Sequence, residues 1–483
     1  MKKPRLAPAF AVAIFLTTGF ARADEASVNP KVQEILDKIS EARIKAILEK
    51  LESFETRNTM STQDDPVRGI GAARTWIFNE LKSYSPKLQV RYEKFRVKKQ
   101  GQRIFKDVDL WNVVAVLPGA KFPETQVFVA GHYDSLNLGN RPQGAAAGPG
   151  SEPGTVNATA NMTVADFEKN ANLPAPGVCD DGSGTAAVME LARVMSGYEF
   201  DKTLVFIAFA GEEQGLVGSS LQASKAKKEN QVIEAVLNND IIGTEVAGNG
   251  RTGNSSLNIY SDETMDSISQ QLSRYVREIG ERYLPSMKIN TIFMGDRLGR
   301  GGDHTPFQWE GFAAVRFSTP NEIYANQHHA TDTLANMSVP YTTRVAKVNA
   351  AVAASLALAP KPPIVMPEAR APNPNAPPPA PGTPPRRPGP MISRGGGYDA
   401  VLRWRTAGSD ADIKGYTILI RPTTSPYWEQ EIYVGKVNTY TLKDVSIDDL
   451  KFGIRAIGTN GAESLVTPYA YPPRQKTEIQ TVE

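Results

Sequence analysis

The stretch DKTLVFIAFAGEEQGLVGS, residues 201–219, carries an apolar, β-branched run that stops at two adjacent carboxylates, Glu212 and Glu213. Neighbours on an extended chain point to opposite sides, so the two acids should not share one job. A solvated loop is the ordinary reading of charge at such a place. Other residues bear on the choice. Only four histidines occur. His132 closes VFVAGHYDS, His304 sits in GGDHTPF, and His328 and His329 sit in NQHHATDTL. Taken alone, a strand-end histidine is more often a structural hydrogen-bonder than a ligand. Asp180, however, lies in PGVCDDGSG just ahead of the helical run TAAVMELARVM, where Asp181 or Ser183 would also serve as a helix cap. Asp240 ends VIEAVLNND, where a plain turn aspartate is the bland alternative. Three strand ends presenting acid or imidazole at one edge of one sheet form a pattern that burial makes costly, unless the groups are paired or bind metal.

The elements that would position these groups alternate. Helical periodicity runs through VQEILDKI and IKAILEKLESF and through GIGAARTWIFNELKSY at 69–84. LQVRYEKFRV, LWNVVAVLPG, TQVFVAGHYDS, KTLVFIAFAGEE, VIEAVLNNDIIG and AAVRFST read as strands, interleaved with helical TAAVMELARVMSG and DSISQQLSRYVREIG. The expected fold is α/β: a mixed, mainly parallel sheet sandwiched by helices, with ligands beyond the carboxyl ends of its strands. A Gly-, Ala- and Pro-rich excursion at 137–176 is long enough to suggest a functional loop.

GHYDS, PGVCDDGSG, FAGEEQG, LNND and HHATDTL, in this order, resemble the zinc-dependent exopeptidases of clan MH, metallopeptidase family twenty-eight, which includes bacterial leucyl aminopeptidases, glutamate carboxypeptidases and glutaminyl cyclases. The likeness spans roughly residues 35 to 358. It implies two Zn2+ per chain sharing Asp180, one adding His132 and Asp240, the other Glu213 and His328. Two such ions against three carboxylates and a bridging hydroxide leave the site formally neutral, which suits burial. The resemblance assigns Glu212 as general base and Asp134 as the partner that orients His132. It selects His328 over His329 by the four-residue spacing to the aspartate of D-T. It also makes Asp180–Asp181 a candidate for a non-proline cis peptide. Some relatives place a tyrosine just upstream of the Asp303–His304 pair. Here that region reads DRLGRGGDH, so Arg297, Arg300, Tyr324 and His304 are the candidate substrate-binding groups.

The preferred expectation is therefore an aminopeptidase acting on peptides or proteins with a free N-terminus. A carboxypeptidase on the same scaffold is the near alternative, kept open by Arg297 and Arg300. A glutaminyl cyclase, or an inactive peptidase-like binding protein, stands further off.

The rest of the 483 residues bounds this reading. Lys2, Lys3 and Arg5, the core LAPAFAVAIFL and Ala21-Arg22-Ala23 read as a bacterial signal peptide over 1–23, hence export to the periplasm or beyond. Its loss takes the basic count from 54 to 50 against 52 acids, formally −2, which gives no support for nucleic-acid binding. No other stretch approaches a membrane span. Cys179 is the only cysteine, so no internal disulfide exists. After a catalytic unit at 24–360, a Pro-rich linker is expected over 361–392, with fourteen prolines between 360 and 390. Short strands at 393–475 read as a small all-β sandwich, followed by a tail at 476–483. Trp404, Tyr416 and LKFGIRAIGTNGAES resemble a fibronectin type III module, with Leu450 where the usual corner tyrosine would stand. The tether suggests that this module attaches the enzyme to a surface or polymer.

Overall fold

The computed structural model describes residues 28–139, 162–367, 391–395 and 397–470. The signal-like segment, the tail at 476–483, and most of the 137–176 excursion and of the Pro-rich stretch lie outside the described residues.

Eight strands form the main sheet: β1 (Gln89–Val97), β2 (Val108–Leu117), β3 (Phe122–His132), β4 (Lys202–Phe209), β5 (Val232–Asn239), β6 (Ser256–Tyr260), β7 (Lys288–Ile292) and β8 (Ala314–Ser318), in the order β1-β2-β4-β3-β5-β8-β6-β7. The central four, β4, β3, β5 and β8, run parallel, while β1, β2 and β6 join antiparallel to their inner neighbours. Sequence follows position. Every residue of central β4 is buried, and its run KTLVFIAF is almost unbroken apolar, as expected of a strand covered on both faces. Edge strand β1, QVRYEKFRV, carries Arg91, Glu93, Lys94 and Arg96 along an open edge.

The pleat separates two cores. Val127, Val129, Leu204, Phe206 and Leu237 face one layer of helices: α1 (Pro30–Asp37), α2 (Glu41–Glu52), α3 (Gly69–Tyr84), α5 (Ser183–Met195), α7 (Ile268–Tyr283) and α9 (Val339–Leu358). Phe128, Ala130, Val205 and Ile207 face the other, made by α6 (Val217–Lys228) and α8 (His304–Trp309). Helix α4 (Val164–Asn170) packs separately beside Leu136 and Leu138. The α/β expectation holds. β6, β7, α4, α6, α8 and α9 are additions without a clear sequence pattern. Among the described residues no helix is long and apolar enough to cross a membrane.

Beyond α9 two four-stranded sheets face each other. One contains β9 (Ile364–Val365), β10 (Ser393–Arg394), β11 (Ala400–Arg405) and β14 (Thr439–Leu442). The other contains β12 (Ile413–Pro422), β13 (Gln430–Gly435), β15 (Leu450–Gly458) and β16 (Thr467–Pro468). They enclose Leu402, Ile418, Phe452 and Ile454, with Trp404 edge-on to Tyr416 at 5.5 Å between ring centres. One expectation needs correction. The segment expected as linker from 361 does not begin as a free tether, because Ile364 and Val365 pair with Arg405 and Trp404, and Thr467 Oγ1 donates to Pro363 O. Proline lacks an N–H but not a carbonyl, so flanking residues of a Pro-rich run still join an edge strand.

The parallel core is the platform for everything at its carboxyl edge. Leu237 is fully buried in β5 three residues before Asp240. Leu237→Ala should lower the free energy of unfolding by about 2–5 kcal/mol through the cavity it leaves, read as a fall in the denaturant midpoint at unchanged slope.

Candidate active site

The carboxyl ends of β3, β4 and β5 each deliver one part of the site. β3 ends on His132, the turn after β4 carries Glu212 and Glu213, and Asp240 follows β5 directly. Asp180 comes from the turn that enters α5, and its peptide bond to Asp181 is cis. His328 comes from the loop after β8, with its backbone in the left-handed region at φ 59°. Leu216 and Ile241, close behind Glu213 and Asp240, are also left-handed, at φ 59° and 58°. Side chains rarely accept that backbone, and here it recurs three times around one cluster.

Asp180 is the centre. One oxygen lies 3.3 Å from His132 Nε2 and the other 3.3 Å from His328 Nε2. His328 Nε2 is also 3.1 Å from Glu213 Oε2. Glu212 Oε2 and Asp240 Oδ1 each stand 4.0 Å from His132 Nε2. Two groups thus have the compactness of a metal site, His132 with Glu212 and Asp240, and Asp180 with Glu213 and His328. All five expected ligands meet. The grouping differs in one respect: Glu212 stands beside His132 as closely as Asp240 does. Buried His132 Nε2 and Glu213 Oε1 have no hydrogen-bond partner. Orphaned donors and acceptors at a buried carboxylate–imidazole cluster fit a borderline divalent cation such as zinc.

Electrostatics say the same. Burial disfavours a charged His132, yet the carboxylates around it, Glu212 foremost, hold its pKa well above the ordinary range. Burial also opposes charge on His328, but Glu213 and Asp180 raise it to about 9. Burial pushes Glu212 well up, with Glu213 and Asp240 adding to the effect against the pull of His132. Without metal, the two imidazoles and the Arg316 guanidinium on Asp240 face this cluster of acids.

The supporting contacts refine several expectations. Asp134 was expected to hold His132 with its side chain. Its nearer contact is the backbone: Asp134 O is 3.1 Å from His132 Nδ1, and the closest carboxylate oxygen is 3.6 Å away. The Asp134 carboxylate instead accepts the amides of Glu212 and Glu213, each at 3.2 Å. It positions the glutamate pair, because a turn ending a strand leaves those amides without ladder partners. Asp181 accepts from the amides of His132, Gly184 and Ile241 at 3.1, 2.8 and 3.2 Å, tying three segments together as well as capping α5. The glycines of CDDGSG serve close approach: a Cβ on Gly184 would lie 2.3 Å from Asn239 O and from Asp181 Oδ2.

Three further residues were not foreseen in these roles. Asp332 accepts the amides of Cys179 and Asp180 at 2.9 Å each, and so aims Asp180. Arg57, wholly buried, donates to Tyr133 O at 2.7 Å, to Gly177 O at 2.8 Å and to Pro176 O. It clasps the loop after β3 to the segment before Asp180. Arg316, fully buried within β8, reaches Asp240 Oδ1 at 3.1 Å and both oxygens of Asp296 at 2.8 and 2.7 Å. An arginine inside the apolar run AAVRFST was the available signal, since a buried charge requires a partner; Arg57 had none of comparable clarity.

The expected substrate groups are placed as follows. Arg297 pairs with Asp296 at 3.1 Å and with Glu322, and Arg300 donates to Gln327 Oε1 at 3.2 Å. His304 is buried against Gly295 O at 2.6 Å, where burial lowers its pKa. Tyr324 is half-buried on the loop that carries His328.

Comparison with known proteins fits this geometry. Residues 112–353 match Peptidase family M28. A probable zinc metalloprotease of Pyricularia oryzae is 35% identical over 471 residues, covering 90% of this chain and 84% of that protein. One from Pyrenophora tritici-repentis is 32% identical over 478 residues, covering 91% and 98%. The chain belongs to peptidase family M28. Among solved structures, an M28-sized part of the chain aligns with the Legionella pneumophila LapA aminopeptidase at 19% identity and TM-score 0.49, covering 70% of this chain and 77% of that one. It also aligns with the Fimbriiglobus ruber glutaminyl cyclase at 17% identity and TM-score 0.49, covering 65% and 94%.

A pH signature follows for protein prepared without metal. His328 titrates near 9 when folded and near 6.5 when free of the fold, so the folded chain binds the extra proton between those values. That contribution to stability is complete below pH 6.5 and is lost as pH rises through 9. The thermal midpoint of the metal-free protein should fall across this window, and His328→Gln should flatten the fall in a pH series by calorimetry.

Proposed function

We propose that this M28 peptidase is a di-zinc aminopeptidase in which Glu213 is a metal ligand and Glu212 the general base. The single observation that carries the reading is Asp180, with one oxygen on each of two imidazoles and a carboxylate-bearing group on either side. His132, Asp180 and Asp240 would hold one ion, and Glu213, His328 and the other oxygen of Asp180 the second. The printed names of the fungal relatives, probable zinc metalloproteases, support zinc. When bound, zinc polarises a carbonyl and makes water acidic enough to attack near neutral pH.

The chain's own groups do the rest. The Glu213 side chain is 4% exposed with Oε2 3.1 Å from His328, whereas the Glu212 side chain is 14% exposed with Oε2 4.0 Å from His132. Glu212 takes the proton of the attacking water and passes it to the nitrogen of the scissile bond, which leaves as an amine. Asp134 fixes both glutamates by their amides, so the pair is held in one geometry.

The choice of aminopeptidase over carboxypeptidase rests on the arginines. A carboxypeptidase needs an unspent cation for the terminal carboxylate of its substrate. Arg297 is paired with Asp296 and Glu322, and Arg300 donates to Gln327 and lies 3.9 Å from Glu322. The exported location is part of the same proposal and rests on residues 1–23.

Glu212→Gln should lower kcat about 100- to 10,000-fold with zinc content near the wild-type value. Glu213→Ala should lose both zinc and activity. Equal zinc content in the two variants would contradict the division of labour, as the nearness of Glu212 to His132 makes worth checking. Hydrolysis of aminoacyl anilides, with none of C-terminal glutamate peptides, is the expected specificity.

A further inference from the structure

The C-terminal sandwich is docked on the peptidase unit through buried charge. Arg421 on β12 is 3% exposed and donates to Asp266 Oδ1 at 2.6 Å, just before α7. Arg274 on α7 lies 3.5 Å from the same Asp266 oxygen and donates to Pro426 O of the β12–β13 turn at 2.6 Å. From that turn, Trp428 Nε1 donates to Gln271 Oε1 at 3.2 Å, and Tyr427 Oη accepts from Thr291 Oγ1 on β7 at 2.9 Å. Most of these contacts grip the first half of α7, and Thr291 carries them to the carboxyl end of β7. Arg274 also sits 4.9 Å from the ring centre of Phe293, the first residue beyond that strand.

Phe293 opens the segment 293–303, which runs along the candidate active site. Gly295 O accepts from His304 Nε2 at 2.6 Å. Asp296 grips Arg316, which holds Asp240. Arg297 and Arg300 reach across to Glu322 and Gln327 on the loop of His328. Gly302 passes so close that a Cβ there would stand 3.1 Å from Asp240 Oδ2. A contiguous set of packed and ion-paired groups therefore runs from the sandwich to the pocket wall.

We infer that the C-terminal sandwich braces the segment 293–303 that borders the candidate active site, with Arg421, Asp266 and Arg274 as positioning residues for substrate binding. A sandwich used only for attachment would need no buried ion pairs against α7, since desolvating them is costly. His132, Asp180 and Glu213 are carried by other elements, while the segment touches the cluster only through Arg316 at Asp240 and through Arg297 and Arg300 on the loop of His328, so the brace governs KM more than kcat.

The kinetic arm rests on the proposed peptidase activity; the exchange arm does not, so the two fail separately. In the full chain, Arg421→Met should speed amide hydrogen exchange at 293–300 and raise KM roughly two- to thirtyfold, by more than it lowers kcat. Tyr427→Phe, a milder change that keeps the ring on Arg277, should move both readouts in the same direction by less, and stands in if Arg421→Met folds poorly. Arg394→Ala, which breaks an exposed pair with Asp448 on the sandwich alone, should change neither. Exchange at 268–278 that rises while 293–300 and KM stay at wild-type values would overturn the brace.

Discussion

The placement of Asp180 between two imidazoles is the constraint on which the rest of the site depends. A carboxylate that must face both ways cannot be aimed by one strand end, so it rides on a turn gripped from several directions. Asp332 takes the amides of Cys179 and Asp180, Asp181 reaches across to the ends of β3 and β5, and Arg57 pins the preceding carbonyls. Each of these partners is buried. Their desolvation is offset only by complete pairing, so the turn has one well-satisfied geometry rather than a family of them.

Charge balance sets the next layer. Acidic groups from four segments gather at one sheet edge, and the chain brings two kinds of compensation. The imidazoles answer the charge at the centre, and Arg316 and Arg57 answer it from behind. Arg316 divides its guanidinium between Asp240 and Asp296, which keeps Asp240 directed at His132 while tying it to the segment after β7. This accounts for an arginine inside a strand whose other residues are apolar or small. It also shows why the electrostatics of the site do not end at the groups nearest a metal.

Much of this was legible in the sequence, for a definite reason. Strands β3, β4 and β5 are long apolar runs that stop on chemistry-bearing residues, and a parallel sheet brings such stops to one edge. Hence His132, Glu213 and Asp240 fall together on the pattern of the sequence alone. What stayed hidden had no periodic signal. Helix α9 is rich in alanine and buried on nearly every side, so it shows no apolar stripe. β6 and β7 are five-residue strands, too short for alternation to stand out. The amide contacts of Asp134 and the role of Asp332 carry no such signal, since sequence does not show which amides a fold leaves unpaired.

The sandwich poses the converse problem, since composition there suggested looseness and the packing is tight. Arg455 on β15 is fully buried and bonded to Glu278 of α7 at 2.7 Å, to Glu463 at 3.1 Å and to Glu431, and Arg282 joins Glu463 at 2.9 Å. Such a network adds little net stability over an apolar contact of the same size, but a shifted docking would leave a buried charge without its partner. Its effect is therefore on register. Glu278 lies on the same helix as Arg274 and Gln271, which meet the β12–β13 turn. One set of charges thus fixes where the sandwich sits along α7. That position in turn fixes which side chains press on the end of β7, from which the pocket wall departs.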